Sequence, residues 1–169
     1  MNALVENQKP ASQKTHAAPR NLSARRSRAR GFVLQGLYQW SLAKLPACDI
    51  LAQMETKFDM RRADVQYYRG LLSEVINGAT NLDPLFEPYL DRSLDELDPI
   101  SVNILRIAVC EMSHHWEVPY KVVIDEAVNL AKKFGPEQSY SFINGVLDKA
   151  SKQLRAIERS AGEQRSQSA

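Results

Sequence analysis

The side chains that could do chemistry are few, and they do not assemble into a catalytic set. Glu111-x-x-His114 has the spacing of a carboxylate-bridged di-metal helix, which needs a second such pair and further glutamates on facing helices. The chain offers only His16, His114 and His115, so no metal site is expected. No GxSxG elbow is present to support a Ser-His-Asp triad. Neither a P-loop nor a GxGxxG is present to cradle a nucleotide phosphate. Asp125-Glu126, with Lys121 and Lys132 nearby, reads as a solvated helix face. Cys48 and Cys110 have no second ligand close in sequence and read as reduced thiols. The expectation is a protein that is not an enzyme and that carries no cofactor.

Charge is the more informative feature. The 169-residue chain has a net charge of +2, but residues 1–48 hold eight basic residues against one acid, Glu6, which puts +7 there and −5 on the rest. Four of the eight, Arg25, Arg26, Arg28 and Arg30, crowd into ARRSRAR. Cations at a helix N-terminus oppose the macrodipole, and a broken local rule tends to mark function. Guanidinium groups match phosphate geometry and stack on bases, so a polyanion, preferably RNA, is the implied ligand. At 100° per residue the four spread over about 200° of a helix. That leaves little dry face, so the segment is expected to project beyond the core. Tyr38, Tyr67, Tyr68, Tyr89 and Tyr140 are aromatics of which one or two could stack on bases.

These residues need elements to position them, and the apolar spacing is helical throughout, with no sustained strand alternation. Residues 1–21 read as a disordered basic tail. A helix starts near Ser23 and ends at Leu45-Pro46. A second covers about 49–58, with Leu51, Met54 and Phe58 inward, and a third about 62–78. Residues 81–97, interrupted by Pro84 and Pro88, fit one or two short helices. Asp98-Pro99 supplies an N-cap and a first-turn proline for a helix reaching Trp116. Residues 119–149 read as a helix pair around the Gly135-Pro136 corner and as the centre of the core, the second helix keeping its apolar stripe to Ile157. Gly145 is expected to be buried where another backbone comes close, which would offset the cost of a mid-helix glycine. From about Arg159 the chain reads as a loose tail. The fold class is all-α, about seven helices in one domain, and no apolar run approaches a membrane span.

Four segments, RRSRARGFVLQGLYQW (25–40), ILRIAVCEM (104–112), VPYKVVIDEAVNLAKKFG (118–135) and SFINGVLDK (141–149), together resemble the NusB family of bacterial transcription antitermination factors, over about residues 22–157. The resemblance implies two small helical subdomains. It also implies binding of boxA, a short single-stranded leader RNA, jointly with NusE, a small-subunit ribosomal protein. The pair would join the RNA polymerase antitermination complex of ribosomal RNA operons in the cytoplasm. Position by position it implies RNA contacts at Arg25, Arg26, Arg28, Arg30, Gln138 and Phe142, and partner contacts at Tyr38 and at the start of the helix after Pro99. Family members often carry an acid near Gln138, and some carry one at the position of Ser101. A homodimer through the NusE surface stays open. Two other readings stand beside this one. Some RNA cytosine methyltransferases carry a NusB-like domain, but this chain is expected to lack their cofactor fold. A helical interaction module with no RNA role is the third.

Overall fold

The structure, a computed structural model, describes residues 19–167, with side chains over 21–164. Among the described residues there are seven α-helices and no strand: α1 Pro19–Ala43, α2 Ala47–Lys57, α3 Val65–Leu82, α4 Pro99–His114, α5 Tyr120–Phe134, α6 Ser139–Leu154 and α7 Ala156–Gln167. The all-α expectation holds. Of the expected tail, residues 1–18 lie outside the described residues, while residues 19–21 already belong to the first turn of α1.

Local chemistry explains most boundaries. Lys44 takes a left-handed conformation (φ 54°) and its N–H returns to the Trp40 carbonyl, stopping α1 before Pro46 in the manner of an αL cap. Asp64 caps α3 by accepting from Tyr67 N–H, and Asp98 caps α4 by accepting from Ser101 N–H. Between α3 and α4 there are no α-helices but three 3₁₀ turns, at Asp83–Leu85, Glu87–Tyr89 and Leu94–Glu96. Pro84 and Pro88 sit in the first turn of two of them, where the missing N–H costs nothing but a longer helix cannot pass. At the α5–α6 corner, a Cβ on Gly135 would lie 2.5 Å from Ser139 Oγ and 2.8 Å from the Ala131 carbonyl oxygen, so only glycine fits.

α1, α2 and α3 pack on one another, as do α4, α5 and α6. α4 also lies against α1 and α3, and one continuous apolar cluster runs through both groups. This corrects the expected centre of the core. It is α4, buried at residues 101–105 and 107–112, and not the α5–α6 pair. A helix dry all round belongs inside a domain.

Three further expectations fail. Gly145 is exposed and a Cβ there would meet nothing within 4 Å, so no backbone approaches and the glycine offsets nothing in packing. The stripe of α6 does not reach Ile157, which is 85% exposed. The helix breaks at Arg155, and residues from Arg159, expected to be loose, continue as α7. The break has a physical cause. Arg155 is 1% exposed and turns inward to donate to the carbonyls of Met112 (2.7 Å), Val118 (3.1 Å), Glu111 (3.2 Å) and His115 (3.0 Å). Those carbonyls lie at and just past the end of α4, where helical hydrogen bonding runs out; those of Glu111 and His115 also accept the N–H groups of His115 and Val118. Glu158 neutralises the guanidinium at 2.6 Å. Arg159 binds Asp148 at 3.0 Å, fastening α7 to α6.

Arg155→Ala strips these partners from the buried carbonyls and should cost about 3–5 kcal/mol by urea denaturation. Arg155→Lys should recover little, since an ammonium lacks the planar spread of donors. A near-neutral Arg155→Ala would refute this role.

Candidate nucleic-acid interface

The helical spacing of ARRSRAR divides it into two pairs. At 100° per residue Arg26 and Arg30 fall within about 40° of each other, and Arg25 and Arg28 within about 60° on a different side. The first pair faces inward. Arg30 is 3% exposed. Its Nε lies 3.0 Å from both carboxylate oxygens of Glu111 and its Nη2 2.7 Å from Oε1. Nη2 also donates to the Tyr67 hydroxyl at 3.2 Å, and Tyr67 donates to Glu111 Oε1. Burial alone would ease the proton off Arg30, but the hydrogen bonds and charge of Glu111 outweigh it and raise the pKa above its ordinary value. Burial, then Glu111, push the Tyr67 phenol up, so it stays protonated as a donor. Arg30 is therefore a core ion pair and not an RNA contact, which corrects that expectation.

Arg26 is intermediate. Its guanidinium carbon lies 4.4 Å from the centre of the Tyr67 ring, with Asp64 at 3.6 Å and Glu117 at 3.5 Å. Arg25 donates to the Ala63 carbonyl at 3.3 and 3.1 Å, and its own carbonyl accepts from Asp64 N–H. The start of α1 is thus packed against residues 63–67. It does not project free, as its scattered charges suggested.

What remains exposed forms a path that the sequence reading missed in part. Arg25 and Arg28 line one depression with Arg61 and Arg62, in the loop between α2 and α3. Arg28 and Arg62 also line an adjoining groove of about 370 Å³ that includes Phe32, Asn129, Lys133 and Phe134. Arg28, Arg62, Lys132 and Lys133 form no salt bridge among the described residues, whereas Arg61 is paired with Asp59 at 2.7 Å. The available signal was the Arg61-Arg62 pair, which has no helical stripe to join. Exposed Gln138 begins α6 in a left-handed conformation (φ 63°), beside exposed Tyr140, whose ring lies 5.3 Å from Lys132 Nζ. Neither Gln138 nor Phe142 lines the arginine groove. Phe142 is half-buried with Arg92 stacked 5.8 Å from its centre.

A second, more apolar groove of about 610 Å³ lies alongside, lined by Leu34, Tyr38, Leu42, Met54, Phe58, Ile100 and Phe134 among others. Tyr38 is 42% exposed. Ser101 is 2% exposed and sits in the capped first turn of α4, so it presents nothing to a partner. Ile100 supplies that edge instead. Tyr67 and Tyr68 are buried, leaving Tyr38 and Tyr140 as the exposed tyrosines of the five. No helix among the described residues is long and apolar enough to cross a membrane.

Comparison with known proteins bears on the family and the fold. The family model described as NusB family matches residues 27–152. The transcription antitermination protein NusB of Tolumonas auensis is 47% identical over 131 residues, covering 78% of this chain and 95% of that protein. That of Teredinibacter turnerae is 47% identical over 137 residues, covering 80% and 93%. The solved structure of T. maritima NusB superposes with a TM-score of 0.66 at 30% identity, over 76% of this chain and 91% of that one.

Arg30→Ala leaves Glu111 buried without its charge partner and should lower stability by about 3–5 kcal/mol in urea denaturation. Arg28→Ala should leave the denaturation midpoint unchanged. Equal effects from the two would contradict the division of the cluster.

Proposed function

The chain belongs to the NusB family, and from that footing we propose that it is a transcription antitermination factor which holds boxA leader RNA jointly with NusE. The observation that carries the RNA part is the run of exposed cations formed by Arg28, Arg61, Arg62 and Lys133, with half-buried Arg25, around two connected depressions. Phosphates bind such a path through charge, and Phe32 and Phe134 in the same groove offer ring faces to unstacked bases. Gln138 and Tyr140 extend the surface past the α5–α6 corner. Arg26 contributes from its partly open edge.

The neighbouring apolar groove is the proposed NusE face, with Tyr38 and Leu42 as its exposed anchors. An aromatic in a concave apolar patch is the usual core of a protein interface. In the absence of NusE, the same face would support a homodimer. RNA and protein faces share α1, because Arg28 and Tyr38 lie on one 25-residue helix. This lets one rigid element present both ligands to the RNA polymerase antitermination complex. The role is that of a cytoplasmic adaptor that catalyses nothing.

Filter binding to a boxA-containing RNA, with and without NusE, tests the proposal. Arg28, Arg62, Lys132 and Lys133, each neutralising one phosphate, predict a log–log salt slope of about −3, from about −0.7 per contact on single strands. Arg28→Ala with Arg62→Ala should weaken binding and reduce the slope to about −1.5. Tyr38→Asp should abolish the gain from NusE while leaving RNA binding alone intact. A slope unmoved by the double substitution would contradict the assigned path.

A further inference from the structure

Away from the RNA and partner faces, the seam between α3 and α4 brings three different metal-ligating atoms together. Glu74 Oε2, Cys110 Sγ and His114 Nδ1 all lie within 4.8 Å of one another. The edges of the triangle are 3.6 Å from Sγ to Oε2, 3.7 Å from Sγ to Nδ1 and 3.8 Å from Nδ1 to Oε2. Tetrahedral zinc, with bonds of about 2.0–2.3 Å to sulfur, nitrogen and oxygen, needs edges of about 3.3–3.6 Å. A contraction of a few tenths of an ångström would complete the set. We propose that Glu74, Cys110 and His114 form a Zn²⁺ site that fastens α3 to α4, with a fourth position open to water.

The geometry supports this on four counts. Cys110 and His114 are four residues apart on one helix, so the same face of α4 carries both. All three ligands stand on packed helices, which fix positions better than loops do. The thiol is buried while Glu74 and His114 are exposed, so a cation would enter from solvent and be held from beneath by sulfur. His115 Nε2 donates to Glu74 Oε2 at 2.9 Å, the kind of outer contact that orients a ligating carboxylate. His115 is itself held edge-on by the Tyr67 ring, centroids 5.5 Å apart.

Charge favours the same occupant. The thiol now donates to the Glu74 carboxylate, and a divalent cation bound between them would take that proton's place, releasing it to solvent. The last turn of α4, where Cys110 and His114 lie, also carries the negative end of the helix dipole. Mixed sulfur, nitrogen and oxygen donors select a borderline-soft ion, which favours Zn²⁺ over Mg²⁺ or Ca²⁺. Glu111, the carboxylate that the sequence spacing pairs with His114, is excluded because Arg30 and Tyr67 occupy it.

Cobalt substitution on the full chain tests the site, since thiolate-bound tetrahedral Co²⁺ gives charge-transfer and intense visible bands that a carboxylate or imidazole alone does not. The expected result is a one-to-one spectrum displaced by Zn²⁺, lost in Cys110→Ser and in His114→Ala, and kept in Cys48→Ser. His114 is on the surface, so its variant keeps the fold even if Cys110→Ser does not. His115→Gln should weaken binding by about 10- to 100-fold as an outer contact. No thiolate band in the reduced wild-type protein, or a band lost in Cys48→Ser and kept in His114→Ala, would overturn the proposal.

Discussion

The ion pair between Arg30 and Glu111 is the constraint on which the rest depends. Two opposite charges lie out of water, three short hydrogen bonds connect them, and the Tyr67 hydroxyl donates a further one to Glu111 Oε1. Removing either charge leaves the other stranded, which is far costlier than any single exposed contact on this surface. The pair joins α1 to α4, and Tyr67 adds α3. Because Arg30 is one turn from Arg26 and less than one turn from Arg28, fixing Arg30 fixes where the outer cations stand. The basic end of the molecule is therefore presented by a buried salt bridge and is not a flexible arm.

A second arginine closes the other side of the same place. Arg30 takes the side chain of Glu111, and Arg155 takes its carbonyl together with those of Met112, His115 and Val118. The end of α4 is thus gripped by α1 from one helical group and by the α6–α7 junction from the other. Apolar packing alone would hold the groups together without fixing their angle, since the hydrophobic effect is not directional. The two guanidinium groups add direction. The arginine-lined and apolar grooves, which lie along α1 and between α1, α2 and α5, keep one shape because this junction does.

Much of the helix pattern was legible because α1, α3, α5 and α6 each bury one regular stripe. The caps Asp98 and Gly135 stood in plain view for the same reason: capping is local chemistry. What stayed hidden was long-range. Nothing in ARRSRAR says that Glu111, eighty-one positions on, waits for Arg30, although the four-residue spacing of Arg26 and Arg30 does place both on one side. Gly145 was misjudged because an open position and a crowded one look alike in a string of letters. Ser101 came in only through the resemblance, as a partner position, whereas α4 is buried almost from its start. Arg155 was passed over because a basic residue near a helix end reads as solvated until its carbonyl partners are seen.

Amide hydrogen exchange of the free protein, without RNA or NusE, bears most directly on the claim that the basic end of α1 is held before any ligand arrives. Residues 26–33 should exchange only as slowly as the core of α4, through global unfolding. Rapid exchange there, slowed only when RNA is added, would mean that the segment is a loose arm ordered by its ligand, and the buried salt bridge would lose its place at the centre of the structure.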